Sequence, residues 1–282
     1  MYRHLMAMGT SEAYGVPIDE QIRLLKKTGF EGFFTPWKPE YPINEWASLA
    51  RELGMIYQSI HAPFGGVADL WRSDKEKAQA AEKELIDCIH SCSENGVGLM
   101  ISHCYIGFDG IVDITEEGLS RYGRIIDEAE RCGVNIAFEN TEGEEYLFAL
   151  LDKFGDRKNV GFCLDTGHEM CYNFGKNLLE FFGDKLIATH INDNLGIKDY
   201  NGKIFWHDDL HLLPFDGIRD WKETADRLRK CGYKGILTFE LCKSSKPDRH
   251  ENDKYDRMPL EEYFAESYAR ACRFAAMIQN SK

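Results

Sequence analysis

The chain is short of positive charge. Its 34 Lys and Arg face 47 Asp and Glu, which leaves a formal net charge of −13. Such a surface repels a phosphodiester backbone, so general nucleic-acid binding is not expected. Long apolar runs are missing as well. None approaches the ~18 residues needed to cross a bilayer, so no membrane role is expected. The opening "MYRHLMAMG" lacks the length and cleavage pattern of a signal peptide and reads as a first strand. The nine cysteines contain no CxxC pair and are odd in number. Cys88, Cys132, Cys163 and Cys231 sit in apolar or helical settings, so reduced thiols in a cytoplasmic protein are expected. A glycine-rich phosphate loop is also lacking, since "MGTSEAYG" is a poor one. That counts against a doubly wound nucleotide-binding sheet.

What is present is a repeated texture. Eight apolar runs occur in order: "HLMAMG", "GFFTPW", "MIYQSIHAPF", "VGLMISHCY", "VNIAFEN", "VGFCLDTGH", "LIATHIND" and "GILTFELC". They lack period-2 alternation, as parallel strands covered on both faces do. Between them lie amphipathic stretches, such as "PIDEQIRLLKKTG", "INEWASLARELG", "TEEGLSRYGRIIDEAERCG" and "WKETADRLRKCG". Each closes on a glycine suited to the left-handed position after a helix. Eight strand–helix repeats in 282 residues predict a (β/α)8 TIM barrel, with residues 1–282 as a single domain. No linker divides the chain. The most polar insert, Lys243 to Pro259, is expected to be a solvated loop or a lid over the site.

In such a barrel the chemistry lies at the C-terminal ends of the strands. Those ends carry His61 (third), His103 (fourth), Glu139 (fifth), Asp165 with His168 (sixth), His190 (seventh) and Glu240 (eighth). The loop after the seventh adds Asp209 and His211. The chain has nine histidines, and five of them fall in this set. A single histidine at a strand end is ordinarily a satisfied core residue. Four carboxylates converging on one rim are another matter, because burying them together is costly without protons or cations. Mixed imidazole and carboxylate donors suit a divalent metal such as zinc or manganese.

The phrases "HAPF", "FEN", "LDTGH", "HINDN", "DLHLLPFDGIRDW" and "FEL", in this order, resemble the xylose-isomerase-like barrel superfamily. That superfamily holds sugar isomerases and epimerases and the type-IV apurinic endonucleases. The resemblance spans nearly the whole chain and implies the following roles. Glu139, Asp165, His190 and Glu240 match the four ligands of a shared metal site, with Mn, Zn, Co or Mg as the ion. Glu139 and Glu240 also match the acid and base that move a proton in the epimerases. His61 and His103 match ligands of a second metal in the endonucleases. His168, Asp209 and His211 match those of a third. One metal is expected, and up to three are allowed by these residues; His168 is alternatively a group that orients substrate. Glu145 resembles a substrate-contacting acid. Phe215 stands at a family glycine in "LPFDGIRDW", and Phe34 stands where many isomerase relatives carry glutamate.

The function expected from these residues is proton transfer beside a carbonyl through an enediolate, by a metal-dependent sugar isomerase or epimerase. A polyol-ketone dehydratase would begin in the same way. An endonuclease-like phosphodiester hydrolase is the rival from another class, and the acidic composition argues against it. The expected partner is a small sugar or polyol, with a homo-oligomer left open. Trp37, Phe64, Trp71 and Trp206 follow strands or lie in rim loops, where each could stack on a sugar or pack the fold.

Overall fold

A computed structural model describes residues 4–108, 113–197 and 204–280. Its eight strands are β1 (Met6–Gly9), β2 (Gly32–Pro36), β3 (Ile56–His61), β4 (Leu99–His103), β5 (Asn135–Glu139), β6 (Val160–Asp165), β7 (Leu186–His190) and β8 (Leu237–Phe239). The paired strands are parallel, in the order β7-β6-β5-β4-β3-β2-β1-β8. The remaining gap is bridged where Ile191 meets Phe239. There Ile191 N donates to Thr238 O at 2.8 Å. The result is the nearly closed eight-stranded barrel that the eight apolar runs predict.

The helices are α1 (Ile18–Thr28), α2 (Ile43–Leu53), α3 (Lys75–Glu94), α4 (Glu116–Cys132), α5 (Glu144–Phe154), α6 (Thr166–Cys171), α7 (Leu179–Phe182), α8 (Trp221–Lys230) and α9 (Leu260–Asn280). Five of them, α1 to α4 and α8, are followed within two residues by the anticipated glycines, Gly29, Gly54, Gly96, Gly133 and Gly232. All five have φ between 60° and 116°. Side chains also cap starts. Thr115 accepts from Gly118 N ahead of α4, and Asp220 from Glu223 N ahead of α8. The short α6 and α7, and α5 before them, carry no comparable sequence signal. In α5 the apolar face is set by Tyr146, Leu147, Leu150 and Leu151, buried against the barrel wall.

Apart from a small cluster of Cys171, Tyr172 and Ile197, two apolar compartments result among the described residues. The larger lies between strands and helices and includes Ile136, Phe138, Phe162 and Leu164. The smaller, inside the barrel, is a plug of Ile101, Ala137, Cys163 and Ala188. Strand side chains alternate faces, so the residue two positions beyond each plug residue also points inward. Those residues are His103, Glu139, Asp165 and His190. The strands that carry the plug thus place four polar groups together at the barrel mouth. All nine cysteines are free thiols, as expected. No helix among the described residues is long and apolar enough to cross a membrane.

The Lys243–Pro259 insert is anchored. Asn252 is fully buried and its amide donates to Cys242 O at 3.0 Å. Arg249 reaches Asp208 at 2.6 Å, and Tyr255 donates to Asp216 at 2.5 Å. Its charges therefore serve as internal ties as well as a solvated surface.

Candidate metal and acid–base site

Each polar group at the mouth is held by its own backbone partners. Asp165 begins α6: its Oδ1 accepts from His168 N at 2.7 Å, and its Oδ2 from Asn192 Nδ2 at 2.8 Å. Asn140, next to Glu139, clasps the Asp165 backbone by receiving its N–H at 2.8 Å and donating to its carbonyl at 2.9 Å. Thr166 and Asn192 exchange a second pair of bonds across β6 and β7. A side chain on Gly167 would overlap Asn192 Oδ1, so the "DTGH" phrase needs glycine for close approach. Asp193 organises the next loop. It accepts from the N–H groups of Phe215 and Arg219 and from Trp221 Nε1 at 3.0, 3.1 and 2.9 Å. This explains "PFDGIRDW". Phe215 takes a left-handed φ of 75°, with the Arg273 guanidinium over its ring at 3.7 Å.

The structure brings together all nine residues expected at the rim. His190 Nδ1 lies 3.1 Å from Glu139 and 2.9 Å from Glu240. Glu139 also lies 3.3 Å from His61 Nε2, 3.5 Å from His103 Nε2 and 3.4 Å from His168 Nδ1. Asp209 lies 2.7 Å from His211 Nε2 and 3.4 Å from His168 Nε2. Groupings close enough to hold a metal ion include His61 with His103 and Glu139, and His168 with Asp209 and His211.

Histidine orientation tests whether these groups fit a cation. The Nδ1 atoms of His61, His168 and His211 meet the backbone carbonyls of Ala62, Asn140 and Glu240 at 2.9, 3.0 and 3.2 Å. With Nδ1–H donating there, each Nε2 turns its lone pair toward a carboxylate. A lone pair facing a carboxylate needs either a proton or a metal between them. Glu139 Oε2 and Asp209 Oδ1 are buried with no hydrogen-bond donor. The donor set therefore fits one or more divalent ions.

Without a cation, charge within the cluster is balanced by protons. Burial would raise Glu139, but His190, His103 and His168 hold it well below the usual carboxylate range. Burial likewise opposes ionisation of Glu240, yet His190 and His211 bring it down to about 2. Burial dominates at Asp165 and raises it to about 6. Burial disfavours charge on His211, but Asp209 and Glu240 lift it to about 10.

Other expectations fare differently. Trp37 and Trp71 are buried, donating to Ser91 Oγ at 2.8 Å and Cys104 O at 2.9 Å, so both pack the fold instead of facing a sugar. Glu145 is exposed on the first turn of α5. Three residues earlier, Glu142 is buried, accepts from Gly107 N at 2.8 Å and is raised by burial; His168 and Asp209 act on its charge. Gly143 turns the chain at φ 70° before α5 begins, which leaves Glu142 inside and Glu145 outside. Phe64 stands at the mouth with its ring stacked on His103 at 4.7 Å. Trp206 is partly exposed beside Lys246. Phe34, noted only as a departure from the family pattern, stacks on His190 at 4.8 Å.

A family model described as "Xylose isomerase-like TIM barrel" matches residues 14–269. The "uncharacterized protein y4fM" of Sinorhizobium fredii is 34% identical over 310 residues, covering 95% of this chain and 92% of its own. Apurinic-apyrimidinic endonuclease 1 of Saccharomyces cerevisiae is 25% identical over 182 residues, covering 61% of this chain and 47% of its own. Among solved structures, the IOLI protein with a bound zinc atom superposes with TM-score 0.77 at 18% identity, covering 98% of this chain and 100% of its own. D-psicose 3-epimerase from Clostridium cellulolyticum H10, solved with D-tagatose, gives 0.71 at 18% identity, covering 97% and 99%. At these identities the structural likeness shows the fold.

Proposed function

The chain belongs to the xylose isomerase-like TIM barrel family, and on that premise we propose that it is a metal-dependent sugar isomerase or epimerase. The observation that carries this reading is the pairing of Glu139 and Glu240. They come from strands three apart around the barrel, yet both lie within 3.1 Å of one nitrogen of His190. Two carboxylates that reach one point from different sides can serve a substrate on both faces.

A divalent ion held by Glu139, Asp165, His190 and Glu240 would supply Lewis-acid stabilisation of the negative charge that develops beside a carbonyl. The chain's own residues do the rest. One glutamate takes the proton from the carbon next to the carbonyl, giving an enediolate. The other returns a proton to the opposite face of that carbon, giving the epimer. Return to the neighbouring carbon gives the aldose–ketose isomer. His61, His103 and His168 hold donors and lone pairs toward the same space and orient substrate oxygens. The solved neighbours described as epimerases agree with this reading in kind.

Deuterium exchange tests it. Keto-sugars incubated with the protein in D₂O gain deuterium beside the carbonyl. Glu139→Gln and Glu240→Gln each lower the exchange rate by ~10²–10⁴-fold, the usual worth of a positioned acid or base. Fully active glutamine variants would remove these roles.

One observation favours a second reading. The grouping of His168, Asp209 and His211 borders the four-residue set and would offer a further metal site, as would His61 and His103 sharing Glu139 with that set. A phosphodiester hydrolase would use several metals to activate water. Metal content near one per chain agrees with the isomerase reading, whereas content near three per chain with cleavage of an abasic duplex would replace it.

A further inference from the structure

We infer that His90, Glu128 and Cys132 hold a thiophilic divalent ion such as Zn²⁺ between α3 and α4, at a site separate from the barrel mouth. The three side chains come from two helices. His90 lies near the end of α3, and Glu128 and Cys132 lie one turn apart at the end of α4. Each helix ends just before a strand begins, α3 before β4 and α4 before β5. The group therefore sits at the foot of the barrel, opposite the mouth, on the face whose side chains act on stability. It does not rest on the isomerase reading.

The donors converge on one carboxylate oxygen. Glu128 Oε1 lies 2.5 Å from His90 Nε2 and 3.7 Å from Cys132 Sγ. One donor atom from each residue lies within 4.8 Å of the other two. With Zn–N and Zn–O of about 2.0 Å and Zn–S of about 2.3 Å, a tetrahedral zinc sets its donors about 3.3 to 3.6 Å apart. The sulfur–oxygen separation already fits. The His90–Glu128 separation opens by about 0.8 Å as the ion replaces the hydrogen bond between them. The helices are held in this register: Ser93 Oγ donates to Cys132 O at 2.8 Å, and Ile89 and Ala129, next to His90 and Glu128, are fully buried in the core.

Arg131 competes for the same carboxylate and is accommodated. Its Nε donates to Glu128 Oε2 at 2.8 Å and keeps that oxygen, while its Nη2 contact with Oε1 at 2.5 Å gives way to the ion. His90, Glu128 and Cys132 are all partly exposed, so the ion enters from solvent. Glu94, exposed one turn beyond His90, acts on the charge of the Cys132 thiol, so the fourth position falls to it or to water. On binding, the Cys132 S–H bond breaks, the proton leaves to solvent and a sulfur–metal bond forms. A thiolate beside imidazole and carboxylate selects zinc over magnesium or manganese. The donors expected at the mouth are nitrogen and oxygen only, and that difference provides the test.

The full chain, reduced and stripped of metal, is titrated with Co²⁺ as a spectroscopic stand-in for Zn²⁺. A thiolate-to-cobalt charge-transfer band in the near ultraviolet is expected, and Zn²⁺ is expected to abolish it by displacement. Cys132→Ser and His90→Gln, both at partly exposed helix positions, are each expected to remove the band and to lower bound metal by one equivalent per chain. Any deuterium exchange on keto-sugars is expected to be unchanged in both. Cys242→Ser, which alters a thiol beside the mouth, is expected to keep the band. Because this ion adds to any at the mouth, the mouth's own stoichiometry is the one that Cys132→Ser retains. A wild-type protein without the band, a band that survives Cys132→Ser, or equal metal content in these two proteins overturns the inference.

Discussion

Gly167 shows how much one missing side chain decides at the residue scale. It sits between Asp165 and His168, and a methyl group there would overlap Asn192 Oδ1. Asn192 in turn donates its side-chain amide to Asp165 Oδ2 and its backbone N–H to Thr166 Oγ1, so the clash would spread through the β6–β7 junction. Gly167→Ala is expected to cost ~1–3 kcal/mol, the range for overpacking in a tight interior. A urea midpoint lowered at constant slope would show it; an unchanged midpoint would mean that Asn192 moves aside freely. Because Asp165 is displaced with Asn192, the same variant is expected to retain less metal after dialysis.

At the scale of elements, the β8–α9 insert and the β7–α8 loop are joined through Asp216. Its carboxylate receives Tyr255 OH at 2.5 Å, Lys254 Nζ at 2.8 Å and Arg270 Nη1 at 3.2 Å. Burial would raise Asp216, but Lys254, Tyr255 and Arg270 together hold it below its usual range. A carboxylate depressed in the folded state adds stability above its unfolded pKa, and that stability is lost as pH falls through the lower folded value. Asp216→Asn is therefore expected to cost ~1–2 kcal/mol at pH 7, in line with hydrogen bonds to a charged group. The deficit is expected to shrink once pH falls below the ordinary aspartate value of 3.8 and to vanish only below the lower folded value. Denaturation at pH 7 and pH 3 checks both statements, and a deficit equal at the two pH values would show that packing, not charge, makes the tie. Asp216 is two residues from Pro214, whose carbonyl also receives Arg270 at 2.8 Å, so α9 is fastened to the loop by both.

For the whole molecule, the barrel mouth is a concentration of negative charge in a chain already at −13. Glu139, Asp165, Asp209 and Glu240 meet there, balanced without metal only by protons on histidines. An ion that binds this folded arrangement and not the unfolded chain raises stability by mass action, about 2.7 kcal/mol at a hundredfold excess over Kd. Chelation is expected to lower the melting temperature, and stoichiometric Mn²⁺ or Zn²⁺ to restore it. A melting curve indifferent to chelator, for protein shown to be metal-free afterwards, would argue that the rim is built for protons alone.

The barrel was legible in the sequence because its signals are local and repeated. Eight apolar runs and five helix-ending glycines each reflect a backbone requirement that one short segment must meet by itself. The rim residues at strand ends were also legible, since a strand end in a barrel has only one place to go, and Asp209 and His211 were legible from the loop phrase that carries them. That Ile101, Ala137, Cys163 and Ala188 share the inside of the barrel was not readable, because the runs show no alternation of polarity, until the strands closed around them. Tertiary structure alone decided which aromatic rings face the barrel mouth. Trp37 and Trp71 turn to Ser91 and the Cys104 carbonyl in the core, while Phe34 and Phe64 turn to the histidines. It also decided that Glu142, not Glu145, is buried near His168. Composition and spacing say that a ring or a carboxylate is available; its direction depends on the φ of the residue beside it and on the space a glycine elsewhere leaves open. Those are long-range facts, and the chain acquires them only when the barrel closes.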